Sequence, residues 1–209
     1  MNHLKKTRET YRKIAADYAL AWQKRGSLDA DLQKFMALLP EDATVLDVGC
    51  GPGMDTAVLQ THHLNAIGLD YSHEMMRAGR DNQGYKVPFA QADMRQLPIG
   101  QQIDGIWASA SMLHLNRDDL LPTLQQFWRV LKPNGVLYLS VKLGDGEKWV
   151  PTTKYGHTFP RFFTFWQPET MDRLLETAAF HIIDGWEELK KRDTWLVRLA
   201  QKLKTEAGR

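Results

Sequence analysis

The run Val45-Leu-Asp-Val-Gly-Cys-Gly-Pro-Gly53 restricts what this chain can fold into more than any other segment. Val45, Leu46 and Val48 are the apolar, partly β-branched residues of a strand buried on both faces. Gly49, Gly51 and Gly53 remove the Cβ atoms that would hold a ligand away from the backbone, and Asp55-Thr-Ala-Val-Leu-Gln60 then starts a helix. A strand that turns on glycines straight into a helix is a nucleotide-binding corner of a parallel sheet. Asp70 follows Gly49 by twenty-one residues, at the end of the apolar run Ala66-Ile-Gly-Leu69. Such folds place there the acid that accepts ribose hydroxyls.

The rest of the chain alternates in the way that corner requires. Helical spacing runs from about Lys5 to Arg25 through Tyr11, Ile14, Ala15, Tyr18, Ala19 and Trp22, and a second helix runs from about Leu28 to Leu39, stopped by Pro40. Strands are expected near 44–48, 65–69, 87–90, 103–108 and 135–142, with helices near 54–60, 72–81 and 118–131 between them. Pro168-Glu-Thr-Met-Asp172 opens a further helix, followed by strands near 180–187 and 194–202. These elements predict an α/β fold: a Rossmann-like, doubly wound, mostly parallel seven-stranded sheet with helices on both faces and an N-terminal helical lid. The segment from Gly144 to Trp166 holds seven of the 21 aromatic residues and is punctuated by glycine and proline, so it reads as an irregular aromatic cap.

Charge narrows the ligand. Asp47 lies two residues before the first glycine, where it would repel a pyrophosphate, and Asp93 follows the next short apolar run. Three acids suit a ligand with a cationic head, two ribose hydroxyls and an adenine amino group. S-adenosylmethionine, which carries an ammonium, a sulfonium and no phosphate, fits that description. Asp47 could alternatively serve the helix start or the turn amides, Asp93 could start a turn before Leu97-Pro98, and Asp104 is as readily a surface residue as a functional one.

Five segments in order make the chain resemble the class I S-adenosylmethionine-dependent methyltransferases of the type 11/25 branch. They are Val45–Gly53, Gly68-Leu-Asp-Tyr-Ser72, Gln91-Ala-Asp-Met-Arg-Gln-Leu-Pro98, Ile103–Leu115 and Arg129-Val-Leu-Lys-Pro-Asn-Gly-Val-Leu137. Asn134 and Ala179 stand where the family pattern usually has glycine. The resemblance spans Tyr11 to about Lys202 and implies one domain: 1–40 as lid, 41–143 as cofactor-binding core, 144–166 as cap and 167–209 as C-terminal helix and strands, the last strand inserted antiparallel between its neighbours. It also implies that Asp93 takes the adenine amino group, that Met94 lends the ring its backbone amide, and that the Tyr18-Ala19 region of the first helix closes on the methionine end. Cofactor contacts are therefore expected from Tyr18, Asp47, Gly49, Cys50, Gly51, Gly53, Asp70, Tyr71, Met75, Asp93, Met94 and Ala108.

Acceptor recognition is expected in two places. In the resembling fold, Ala108-Ser-Ala-Ser-Met-Leu-His-Leu115 sits beside the methyl group; Ser109 is a contact, and His114 is either a general base or a packing residue. From the cap, Trp149, Tyr155 and Arg161 are the candidates to line a pocket, with Lys142 assisting from a strand end and Arg25 from the lid helix. The seven histidines, His157 among them, show no metal-ligand spacing.

At 209 residues, 43% hydrophobic and 25% charged, the composition is that of a soluble globular protein. No apolar run approaches a membrane span, and a cytoplasmic protein is expected. Cys50 is the single cysteine and reads as a small residue in the turn. A net charge of +2 without an RNA-module pattern speaks against nucleic acid, although 190–204 is locally basic. The reading is methyl transfer from S-adenosylmethionine to an O, N or S atom of a small molecule. The alternatives are a tRNA nucleoside as acceptor, or a non-catalytic protein that binds the cofactor for sensing.

Overall fold

The computed structural model describes residues 3–22, 29–100, 102–190 and 193–203. The chain runs α1 (His3–Ala21), α2 (Ala30–Met36), β1 (Thr44–Val48), α3 (Met54–Thr61), β2 (Asn65–Asp70), α4 (His73–Gln83), β3 (Phe89–Gln91), β4 (Ile103–Ser109), α5 (Arg117–Val130), β5 (Leu131–Leu143), β6 (Glu147–Lys154), β7 (His157–Trp166), α6 (Pro168–Thr177), β8 (Phe180–Lys190) and β9 (Asp193–Lys202). Strands β3, β2, β1, β4 and β5 lie side by side and parallel. β9 then pairs antiparallel with both β5 and β8, completing the expected seven strands with the last one inserted between its neighbours. Among the described residues the sheet nevertheless has nine strands, because the cap is a regular hairpin.

That hairpin corrects the reading of 144–166 as irregular. β6 and β7 pair in register from Glu147↔Thr164 to Lys154↔His157 across the two-residue turn Tyr155-Gly156. Both turn residues have positive φ, 55° and 72°, which a primed turn needs to match the strand twist. Pro151 and Pro160 stand directly opposite each other. Counting back from the turn, that is a position where an antiparallel pair exchanges no backbone hydrogen bonds, so two residues without N–H groups interrupt nothing. β7 joins the main sheet through Phe165 and Trp166, which pair parallel with Lys142 and Leu143 beyond the end of β4.

Alternation along β5 divides the core between the two faces. Leu137, Leu139 and Val141 pack with Leu120, Leu124 and Phe127 of α5 and Met171 and Leu175 of α6. Val136 and Tyr138 pack with Leu32 and Phe35 of α2 and Val58 and Leu59 of α3. On that second face Trp107 stacks on Tyr138 with centroids 3.8 Å apart, and the Tyr138 hydroxyl donates to buried Asp31 at 2.7 Å. α2 is shorter than the spacing predicts: Asp29 caps it by accepting from Leu32 N, and residues 37–39 tighten into three-residue turns before Pro40.

α1 lies apart from the sheet, on α4 and the hairpin. Ala15 and Ala19 meet Met75 and Ala78 of α4, and Gln83 Nε2 donates to Ala19 O at 3.0 Å. Thr10 Oγ1 donates to Pro160 O at 3.2 Å, and the His3 ring packs on Phe162 at 4.5 Å. The helix thus bridges α4 and β7 across the carboxyl ends of the strands.

Candidate functional site

Chain order reverses between β1 and β4, and the carboxyl edge at such a reversal is where open α/β sheets bind ligands. A cavity lies there. The glycine turn forms its floor: Gly49 N and Cys50 N both donate to Leu69 O, and Gly49, Gly51 and Gly53 all have positive φ. A Cβ on Gly49 would lie 2.3 Å from Ser111 Cβ, so this glycine lets the loop after β4 close against the turn. That loop is itself unusual. Ala110 has φ 52°, and its N–H is held by Ser140 through the backbone oxygen (3.2 Å) and Oγ (2.9 Å). No sequence signal marks that conformation.

Three carboxyls face the cavity. Asp70 accepts from Gly51 N at 2.8 Å on one oxygen and from Ser72 N at 2.7 Å on the other, joining the turn to the start of α4. Asp47 is buried at the end of β1 and accepts the Thr56 hydroxyl at 2.6 Å. Asp55, which the sequence reading passed over, accepts Trp107 Nε1 at 2.9 Å. Loss of water pushes the Asp47 carboxyl well above the usual carboxylate range, and the charge of Asp55 adds to the shift. Asp70 is raised as well, by loss of water first, against the pull of its amide donors. The same burial, with Asp47 and Asp70 nearby, pushes the Cys50 thiol far up, away from the thiolate form.

A raised carboxyl contributes stability that is fully present below its unfolded value and is lost as pH rises through the folded one. Asp47→Asn is therefore expected to stabilise the ligand-free protein at neutral pH by roughly 1–3 kcal/mol. Thermal melts at two pH values check this; a variant that melts lower at neutral pH would show that Asp47 is a structural anchor instead.

His114 also lies in the wall, but both ring nitrogens are engaged. Nδ1 is 2.6 Å from Phe162 O, a carbonyl that can only accept, so this nitrogen carries the proton. Nε2 therefore accepts from the Tyr11 hydroxyl at 3.0 Å. Burial lowers the imidazole to about 4, helped by the charges of Arg161 and Lys142. Of the two roles open to it, base or packing residue, His114 is here a neutral ring bonded at both nitrogens that positions Tyr11, whose oxygen also receives Arg161 at 3.5 Å.

Of the expected cofactor contacts, Tyr18, Asp47, Gly49, Cys50, Gly51, Asp70, Tyr71, Met75 and Met94 line the cavity. Three do not. Gly53 faces the Phe89 ring and serves packing, and Ala108 points into the core. Asp93 is held by Arg95, at 2.7 Å from NH2, while the same guanidinium reaches Asp119. Of the expected acceptor contacts, Ser109 and His114 line the cavity. Lys142 instead pairs with Asp193 at 2.8 Å and lies over Phe163. Trp149 packs edge-on against Phe162 under Lys6, and Tyr155 meets the Tyr18 ring at 6.4 Å without lining the cavity. Arg161 acts behind Tyr11, and Arg25 lies outside the described residues. Asp104 holds Lys132 and Thr44 N at the start of the strands, away from the cavity.

The sequence reading missed Thr7, Arg8 and Ser111 as well as Asp55. Thr7 and Ser111 are 5% and 6% exposed, line the cavity, and have hydroxyls with no hydrogen-bond partner among the described residues. Helical spacing from Tyr11 points to Thr7; nothing in sequence points to Ser111. Among the described residues, no group of histidine, cysteine and carboxylate side chains is arranged to hold a metal ion, and no helix is long and apolar enough to cross a membrane.

Comparison with known proteins agrees with this geometry. Residues 45–135 match the family described as "Methyltransferase domain". Trans-aconitate 2-methyltransferase of Azoarcus sp. (strain BH72) is 38% identical over 105 residues, covering 49% of this chain and 40% of that protein. Malonyl-[acyl-carrier protein] O-methyltransferase of Enterobacter lignolyticus (strain SCF1) is 32% identical over 125 residues, covering 58% and 47%. The chain spans less than half the length of these two relatives. Among solved structures, 1,6-didemethyltoxoflavin-N1-methyltransferase of Burkholderia thailandensis, with bound 1,6-didemethyltoxoflavin and S-adenosylhomocysteine, superposes with a TM-score of 0.71. It is 21% identical, over 96% of this chain and 88% of that one. A methyltransferase from Methanosarcina mazei has a TM-score of 0.73 at 20% identity, over 85% and 99%. At these identities the likeness establishes the fold.

Proposed function

We propose, from the match of residues 45–135 to the methyltransferase domain family, that this chain transfers the methyl group of S-adenosylmethionine to an O, N or S atom of a small molecule. The observation that carries the proposal is the set of three carboxyls, Asp47, Asp55 and Asp70, that line one cavity around a glycine turn. A pyrophosphate would meet like charge there. A ligand with an ammonium and a sulfonium supplies the cations that the two raised carboxyls lack.

In this reading Asp70 accepts the ribose hydroxyls with the lone pairs left by Gly51 N and Ser72 N, while Tyr71 and Met75 pack on the ribose and adenine. Asp47 faces the ammonium. Asp93 is given no adenine contact because Arg95 occupies it. α1 is the lid, and the hairpin its outer wall. The cofactor supplies an electrophilic methyl group. The protein supplies alignment and a dry site, which is where most of the acceleration of an in-line displacement arises. The names of the two relatives, one acting on trans-aconitate and one an O-methyltransferase, support a small acceptor over a tRNA nucleoside.

The experiment is incubation of the protein with methyl-labelled S-adenosylmethionine and the low-molecular-weight fraction of a cell extract. Label in an organic product at catalytic turnover is expected. Label appearing only in added tRNA would refute the small-molecule reading, and cofactor binding without transfer would leave a sensor.

A further inference from the structure

We infer that Asp55 is a second carboxylate for the ammonium group of the cofactor, beside Asp47, and that Trp107 is the residue that positions it. The inference deepens the methyl-transfer reading and rests on it.

The sheet brings the two acids together. Asp47 of β1 is the ladder partner of Trp107 of β4, so both side chains leave the sheet on the same face. α2 and α3 cover that face: Trp107 packs with Leu32, Phe35, Val58 and Leu59, and Asp47 takes the Thr56 hydroxyl of α3. Asp55, in the first turn of α3, lines the cavity with Asp47, and its Oδ2 accepts Trp107 Nε1 at 2.9 Å. Asp70 ends β2, on the other side of β1 from β4, and Met94 follows β3, farther still. A cofactor with its ribose at Asp70 and its adenine toward Met94 therefore extends its amino-acid end toward β4. Asp47, Asp55 and Ser109 line the cavity there.

The hold on Asp55 is firm. Trp107 is 1% exposed, stacks on Tyr138 with centroids 3.8 Å apart, and meets Phe35 at 5.3 Å. Tyr138 is itself anchored by its hydroxyl on Asp31. An aromatic layer of the core thus ends in one indole N–H bonded to one oxygen of a cavity carboxyl. A carboxylate has lone pairs on both oxygens, so this bond fixes the group and leaves acceptor capacity for a ligand. An acid in a first turn also suits the dipole of its helix, but that role requires neither the cavity nor the indole.

Charge points the same way. The charge of Asp55 hinders ionisation of Asp47. Among the described residues no lysine, arginine or histidine forms an ion pair with either acid, and Arg8, which also lines the cavity, lies over Tyr71 at the end of β2. Two neighbouring carboxyls without a cation of the protein's own are completed by a cation from outside. An ammonium group has three N–H donors and can serve both at once.

Titration of the full chain with S-adenosylhomocysteine, with its analogue that lacks the carboxylate, and with methylthioadenosine tests this. The last keeps the ribose and adenine but has no ammonium. Asp55→Asn keeps the size of the side chain and an oxygen for Trp107 and removes the charge. It is expected to weaken both amine-bearing ligands by roughly tenfold and to leave methylthioadenosine unchanged. Equal loss for all three ligands, or S-adenosylhomocysteine bound as well as or better than by the wild type, would overturn the inference while the cofactor reading stands. Wild-type protein that binds none of the three would overturn both.

Trp107→Phe keeps an aromatic ring against Tyr138 and removes the N–H. It is expected to weaken S-adenosylhomocysteine by roughly threefold to tenfold on its own, and to add nothing to the loss in Asp55→Asn, because the two act through one carboxylate. Losses that add in the double variant would overturn the positioning role of Trp107.

Discussion

Asp70→Ala is expected to weaken S-adenosylmethionine binding by about 3 kcal/mol, roughly a hundredfold. The carboxylate does two things at once. It holds Gly51 N and Ser72 N, so the glycine turn and the first turn of α4 are fixed to the end of β2. In the proposed reading its remaining lone pairs accept the two ribose hydroxyls. Alanine leaves two backbone donors without a partner and the ribose without a charged acceptor. Folding stability should change less than affinity, since removing a carboxyl that burial holds above its ordinary range offsets part of the loss. Titration calorimetry beside a urea melt reads both quantities. Wild-type affinity in this variant would remove Asp70 from the site.

Gly79→Ala is expected to destabilise the fold by roughly 2 kcal/mol or more and to lower cofactor affinity with it. In an ordinary helix interior the same change gains about 1 kcal/mol, because glycine is the weaker helix former. Here a Cβ on Gly79 would sit 1.9 Å from Pro52 O, inside the glycine turn. α4 cannot keep its place against the turn with that atom present. Either α4 withdraws, loosening the contact with Ala15 and Ala19 of α1, or the turn moves and carries Gly51 away from Asp70. A stabilised variant with intact binding would show that the close approach of α4 to the turn does not matter.

Much of this was legible in the sequence. Strand, glycine turn and helix between Val45 and Thr61 follow from local chemistry alone, as do Asp47 and Asp70, because each signal lies within one element and the α/β alternation fixes where the elements meet. The hairpin was not legible. Gly144, Gly146, Pro151, Gly156 and Pro160 read as punctuation, and only the pairing shows Pro151 opposite Pro160 and Tyr155 in a positive-φ turn. Asp93 is a similar case: it pairs with Arg95 and does not line the cavity, and neither could be read from its strand-end position. Ser111 and Thr7 are the reverse case. Their hydroxyls are buried with no partner among the described residues, and a sequence cannot show a missing partner. His114 has the residue type of a base, and the partners that hold its ring, Phe162 and Tyr11, are distant in sequence and so could not be read from it.

The most direct test of the central claim, that these carboxyls await a cationic nucleotide without phosphate, is titration of the protein with S-adenosylmethionine in two buffers of different ionisation heat, with NADH as the comparison ligand. Binding of S-adenosylmethionine alone is predicted. The difference in heat between buffers should report net release of protons, because a bound cation draws the raised Asp47 carboxyl into its ionised form. Tighter binding of NADH, or no binding of S-adenosylmethionine, would contradict the account.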